Sequence, residues 1–121
     1  MEIGSFLELQ LPKGRELYNQ KQNIARLNTG RMGIWHAFRV TGCKRIWIPI
    51  YQCDSIRETF EKKGVNICFY HQDKNFTPLD IEASENDAVL LVNYFGIMSH
   101  DRMVELAKSY KHAIIDCAQA F

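Results

Sequence analysis

Two short segments of this chain carry residue types that could hold an anion and a cation. The first is Asn28, Thr29, Gly30 and Arg31, a polar turn followed by residues at helical spacing. N–H groups at a helix start lack intrahelical partners, and the helix dipole is positive there. Such a turn suits a phosphate, and Arg31 adds a formal positive charge. An ordinary turn capped by Asn28 or Thr29 accounts for the same residues. The second segment is Asp116, Cys117, Ala118 and Gln119, directly after Ile114 and Ile115. A carboxylate at the end of an apolar strand is costly to bury unless a partner compensates it. A cationic ligand atom such as a pyridinium nitrogen is one such partner. A helix cap or a hydrogen-bonded turn is the plainer alternative. Gln119 could then hydrogen-bond a ring substituent, and Ala118 could lie flat against an aromatic ring.

Other chemistries find less support. Gly30 and Gly33 have no glycine two places before them, so the dinucleotide fingerprint is incomplete, and the lysine of a Walker A loop is missing. Cys43, Cys53, Cys68 and Cys117 are widely spaced, as are His36, His71, His100 and His112, so no metal site is expected. The cysteines read as reduced, small hydrophobic residues.

The elements that must position these groups follow from periodicity. With 121 residues, 46% hydrophobic and 24% charged, the chain is long enough for one domain with its own core. Leu7, Leu9 and Leu11 alternate with polar residues, so residues 1–23 read as an arm or short helix. Ile24 to Leu27 is expected as a short strand. Ile34, Ala37, Phe38 and Thr41 fall at helical spacing, and Gly42 sits where that helix should stop. There Gly33 would allow close packing on a sheet. Ile46 to Ile50 reads as a strand, followed by a helix with Ser55 and Glu58 as a capping box, or Asp54 as the cap. Ile56 and Phe60 share that helix's face, and Gly64 ends it. Val65 to Tyr70 is the next strand, and His71 to Asp87 is a polar connection. Ala88 to Asn93 is apolar throughout, as in a strand buried on both faces. Ser99 caps a helix carrying Met103, Leu106, Ala107 and Tyr110, and His112 to Ile115 forms the last strand. Strands alternating with helices imply a mainly parallel sheet in a three-layer α/β/α domain. In such a sheet ligands bind beyond the carboxyl ends of the strands. That rule gathers Asn28–Arg31, Tyr51–Asp54, Asn93–Gly96 and Asp116–Gln119 at one edge.

Those segments also resemble a known family. Residues 28–42 are similar to the Ser-Gly-Thr segment and helix of DegT-like sugar aminotransferases, which are fold-type-I pyridoxal-phosphate (PLP) enzymes. Ile48–Cys53 resembles their Val-Pro-Ala-Tyr-Thr-Phe segment, Asn93–Gly96 their His-Leu-Tyr-Gly, and Ile115–Ala120 their Glu-Asp-Ala-Ala-Gln-Ala. The resemblance implies the N-terminal portion of an aspartate aminotransferase-like large domain, with residues 24–121 as its alternating core. It implies that Gly30, Arg31 and Met32 offer N–H groups to the PLP phosphate. Asp116 would pair with the protonated ring nitrogen, Gln119 would approach the ring oxygen, and Ala118 would contact the ring. Cys53 stands where an aromatic residue normally stacks on the ring, and Arg31 where threonine is usual. The family's PLP-bearing lysine would lie beyond Gln119, so this chain alone is not expected to be catalytically competent.

The implied reaction moves an amino group from an amino-acid donor to a nucleotide-linked keto-sugar, in surface polysaccharide biosynthesis. A homo-oligomer, in particular a homodimer, is the expected assembly. A non-catalytic paralogue that binds phosphate or a nucleotide sugar as a structural or partner subunit is the alternative. A small flavodoxin-like module, complete in itself, is a third. Net charge is +1, so no strong field draws nucleic acid or a membrane surface. The apolar run Ala88–Val92 is too short to span a bilayer, and the first residues lack a secretion-signal pattern. A cytoplasmic protein without nucleic-acid or membrane partners is expected.

Overall fold

Alternating apolar runs and helical stretches produce four strands and three α-helices among residues 23–120, the part that the computed structural model describes. In chain order these are α1 (Gly30–Thr41), β1 (Arg45–Pro49), α2 (Asp54–Lys62), β2 (Asn66–Tyr70), β3 (Asp87–Val92), α3 (His100–Lys108) and β4 (His112–Asp116). A short 3-10 turn, Tyr94–Gly96, joins β3 to α3. Thr29 caps α1 by accepting the Met32 N–H at 3.4 Å. The helix ends at Gly42, whose φ of 73° is the left-handed conformation that glycine adopts most easily. Ser99 caps α3 by accepting the Arg102 N–H at 3.3 Å.

The sheet is parallel throughout, in the order β2-β1-β3-β4. Residues of α1 and α2 pack on one face, where Ile34, Phe38, Ile56 and Phe60 meet Ile46, Ile48, Leu90 and Ile114. Met103, Leu106 and Tyr110 of α3 and its flank pack on the other face against Val89 and Leu91. The expected three-layer α/β/α arrangement is therefore what forms. All six residues of β3 are buried, which explains its unbroken apolar run.

The crossovers α2 and α3 lie on opposite faces, so the chain reverses its direction of travel between β1 and β3. At this seam the pairing is short. β1 and β2 pair over five residues and β3 and β4 over five, but β1 and β3 pair only from Arg45↔Asp87 to Trp47↔Val89. The ladder stops at Trp47 because Pro49, at the end of β1, has no N–H to donate toward β3. The Leu90 carbonyl instead accepts the buried Tyr70 phenol at 2.7 Å.

A buried carboxylate fastens the other end of the seam. Asp87 accepts Arg45 Nε at 2.9 Å and its terminal guanidinium nitrogen at 2.6 Å. It also accepts the Trp47 indole N–H at 3.4 Å and the Ser84 N–H at 2.8 Å. The Asp87 side chain is only 4% exposed. The Arg45 guanidinium, above all, and the other donors hold its carboxyl well below the usual carboxylate range.

Several expectations are corrected. Ile24 to Leu27 forms no strand: Ile24 and Leu27 are exposed, and the segment pairs with no strand among the described residues. Ser55 and Glu58 form no capping box. The Ile56 N–H bonds the Cys53 carbonyl at 3.2 Å, so α2 begins at Asp54 with Cys53 in the cap position. Ser55 turns to the Cys53 thiol at 2.7 Å, and Glu58 pairs with Lys62. At Gly33 an added Cβ would meet nothing within 4 Å, so close packing does not require this glycine. The arm or short helix expected over residues 1–23 lies outside the described residues except for Asn23.

Two outcomes test the seam. Asp87→Asn should cost about 2 kcal/mol at neutral pH, because it strips the charge from a hydrogen-bonded, buried site. A carboxylate with a lowered native pKa stabilises the fold above its unfolded pKa, about 3.9, and that gain is lost as pH falls toward the native value. Urea titrations should therefore show the two chains converging as pH drops below about 4. Tyr70→Phe should cost about 1–2 kcal/mol at every pH from 5 to 8, since it leaves the Leu90 carbonyl unpaired.

Candidate functional site

A crevice lies at the carboxyl edge beyond β1 and β3, where a reversal of strand order favours ligand binding. The crevice has a volume of about 360 Å³ and is lined by Ile50, Tyr51, Gln52, Cys53, Tyr94, Phe95 and Gln119. Three loops build it: the end of β1, the 3-10 turn after β3 and the turn after β4. The Tyr94 phenol crosses the gap to donate to the Tyr51 carbonyl. Burial, then the neighbouring Tyr51 and Asp116, push this phenol above its ordinary range, so it remains a donor. Tyr94 is buried and its ring lies 5.4 Å from Tyr51 and 4.7 Å from Phe76.

Local structure fixes the loops. Asn93 is buried and spends its side chain on the backbone: Nδ2 donates to the Met98 carbonyl at 3.0 Å, and Oδ1 accepts the Met98 N–H at 3.2 Å. Inside this bracket Phe95 is forced to φ 54°, left-handed for a bulky side chain, and its ring stands out 63% exposed. Gly96, also at positive φ, lies 3.7 Å from Ala120 as measured from an added Cβ, so the two turns touch. The Ala120 N–H closes the second turn on the Cys117 carbonyl at 2.9 Å.

The sequence-predicted residues are distributed unevenly around this crevice. Cys53 and Gln119 line it together. Asp116 is half-buried at the end of β4, with Oδ1 accepting the Ala118 N–H at 2.9 Å. The hydrogen-bonded turn foreseen as the plainer role thus engages one of its oxygens. Ala118 is exposed in that turn and is not part of the crevice lining. Asp116 follows Ile114 by two residues, so its side chain points to the face that carries α1. Gly30, Arg31 and Met32 form the first turn of α1, also outside the lining. Gly30 stands one turn before Ile34, which packs in the same cluster as Ile114. A step of one turn along α1 and a step of two residues along β4 both lead toward the carboxyl edge.

Sequence reasoning missed Tyr94 and Phe95 as lining groups, although it placed their segment at this edge. The signal was two aromatic residues between Asn93 and Gly96, a dense use of aromatics in a turn. Cys53 also has a character that its residue type does not reveal. Its thiol contacts the Ser55 hydroxyl, and the Ser55 and Ile56 N–H groups of the helix start lie beside it. These bonds, that of the Ser55 hydroxyl foremost, lower the thiol below its usual range.

Among the described residues no helix is long and apolar enough to cross a membrane. No family model matches the chain, and no curated protein matches its sequence. Solved structures do share its fold. A candidate aminotransferase from Burkholderia pseudomallei matches with a TM-score of 0.52 at 15% identity, over 72% of this chain and 29% of that one. An inhibitor-bound glycine decarboxylase (P-protein) of the glycine cleavage system matches with a TM-score of 0.51 at 22% identity, over 71% of this chain and 22% of that one. The chain therefore shares its α/β fold with part of each of these proteins, and it spans less than a third of either.

Alkylation checks the Cys53 environment. The rate of iodoacetamide capture at Cys53, read by peptide mass spectrometry, should rise with pH through a midpoint below that of a free thiol, about 8.5. Ser55→Ala should move that midpoint upward.

Proposed function

We propose that this chain is the N-terminal part of the large domain of a PLP-dependent, DegT-like aminotransferase. The whole protein would act on a nucleotide-linked keto-sugar with an amino-acid donor, in the cytoplasm, as a homodimer that feeds surface polysaccharide biosynthesis. One observation carries the reading: an anion seat at the start of α1 and the Asp116 carboxylate step toward the same edge on the same face of the sheet. The aminotransferase-type fold agrees with it. The sugar substrate and the dimer rest on the segment resemblance alone.

The donor set fits the cofactor. The N–H groups of Gly30 and Arg31 at the start of α1 would receive a phosphate, whereas the Met32 N–H, expected to join them, is taken by the Thr29 hydroxyl that caps the helix. Asp116 has one oxygen fixed by Ala118, which orients the carboxylate and leaves Oδ2 for a ring N–H. Gln119 presents its amide at the crevice. When bound, PLP supplies an electron sink for bonds at the substrate's amino-bearing carbon. Asp116 would keep the proton on the ring nitrogen, because an adjacent negative charge favours the cationic form. No residue of this chain is assigned the covalent role.

Cys53 favours a second reading. The thiol offers little stacking surface, which suits a non-catalytic paralogue that binds phosphate or a nucleotide sugar at Gly30. Calorimetry separates the two. PLP should bind the chain, with Asp116→Ala weakening it about tenfold, the loss of one charge-assisted hydrogen bond. Stronger binding of a nucleotide sugar, indifferent to Asp116→Ala, would favour the paralogue.

A further inference from the structure

We infer that Tyr51 and Phe95 form the stacking wall of a flat heteroaromatic ligand in the crevice, taking over the contact that Cys53 cannot make. The inference rests on the PLP reading and adds two ligand-binding residues to it. Four aromatic rings meet at the carboxyl edge. Tyr94 lies at the centre, buried, with its hydroxyl committed to the Tyr51 carbonyl and its ring packed on Phe76 at 4.7 Å. Tyr51 and Phe95 flank it, at 5.4 and 6.5 Å between ring centres. Both flanking rings are 63% exposed and both line the crevice.

Exposure of two large rings side by side loses the favourable burial that aromatic residues usually gain. The folded chain does not need Phe95 there. Its φ of 54° is a conformation that glycine would take without strain. A bulky ring held at a strained position and facing a crevice is arranged for something outside the described residues. The polar lining sets the chemistry of that ligand. Gln52 and Gln119 offer amides, and the crevice lining carries no lysine, arginine or carboxylate. The wall therefore takes a flat ring face with polar substituents at its rim, while the charge-bearing atoms reach toward α1 and Asp116. A substituted pyridine has that form.

Pyridoxamine 5′-phosphate is the probe, because it binds without a covalent bond and fluoresces. Titration into the 121-residue chain should show Tyr51→Ala and Phe95→Gly each weakening binding roughly five- to tenfold. Tyr51→Phe should restore the native affinity. Phe95→Gly relieves the backbone while removing the ring, so the loss should come with thermal stability unchanged or raised. Proton spectra should show the pyridine ring proton shifted upfield by the aromatic wall, with the shift reduced in both ring-deleted variants. If both variants bind as tightly as the native chain while Asp116→Asn still weakens binding, the inference is overturned and the cofactor reading stands. If the native chain shows no saturable binding, both fall together.

Discussion

A short seam between β1 and β3 governs the rest of this molecule. Two parallel strand pairs, each closed by its own helix, join through three pairs of residues, Arg45↔Asp87 to Trp47↔Val89. The brevity follows from Pro49, which brings no N–H to the β3 side, so a backbone carbonyl there loses its ladder partner. The chain satisfies such groups with side chains. Asp87 locks the amino end with four hydrogen bonds. Tyr70 and Tyr94 reach across the open end to the carbonyls of Leu90 and Tyr51. An unpaired buried carbonyl costs about 1–3 kcal/mol, so each phenol is worth more than its ring packing alone.

A crevice lies beyond the same strand ends. Because Tyr94 must span the gap to Tyr51, its ring becomes a floor rather than part of the deep core, and the loops on either side are drawn around it. Asn93 and Met98 tie the turn tightly enough to hold Phe95 at a positive φ, which costs roughly 1 kcal/mol or more. Strain of this kind persists only where surrounding bonds over-determine the backbone.

Most of the architecture was legible in the sequence, and the failures have identifiable causes. The buried run Ala88–Val92, the helical stripe of Ile34 and Phe38, the stop at Gly42 and the cap at Ser99 each reflect local periodicity or local hydrogen bonding. Such signals survive without knowledge of partners. Ile24 to Leu27 misled because a strand needs a neighbour, and the sequence does not say whether one exists. Ser55 misled because the cap is decided by where the first helical bond closes, one contest between Cys53 and Ser55 carbonyls. The edge carrying Cys53 and Gln119 was read correctly as a meeting place of segments. The aromatic lining was not, since which side of a short turn a ring takes depends on strain at Phe95 and on a phenol crossing a seam, both tertiary facts.

Charge limits what could bridge α1 and β4. The helix start carries partial positive charge and the formal charge of Arg31, while Asp116 brings a negative charge to the same side of the sheet. A ligand touching both must change sign along its length. A ligand anionic at both ends, laid from Gly30 toward Asp116, would set a negative group against a half-buried carboxylate, and like charges there would repel. A phosphorylated cationic heterocycle meets each end with the opposite sign. The exposed rings of Tyr51 and Phe95 at the same edge add stacking surface, so the charge pattern and the aromatic lining both suit the proposed cofactor.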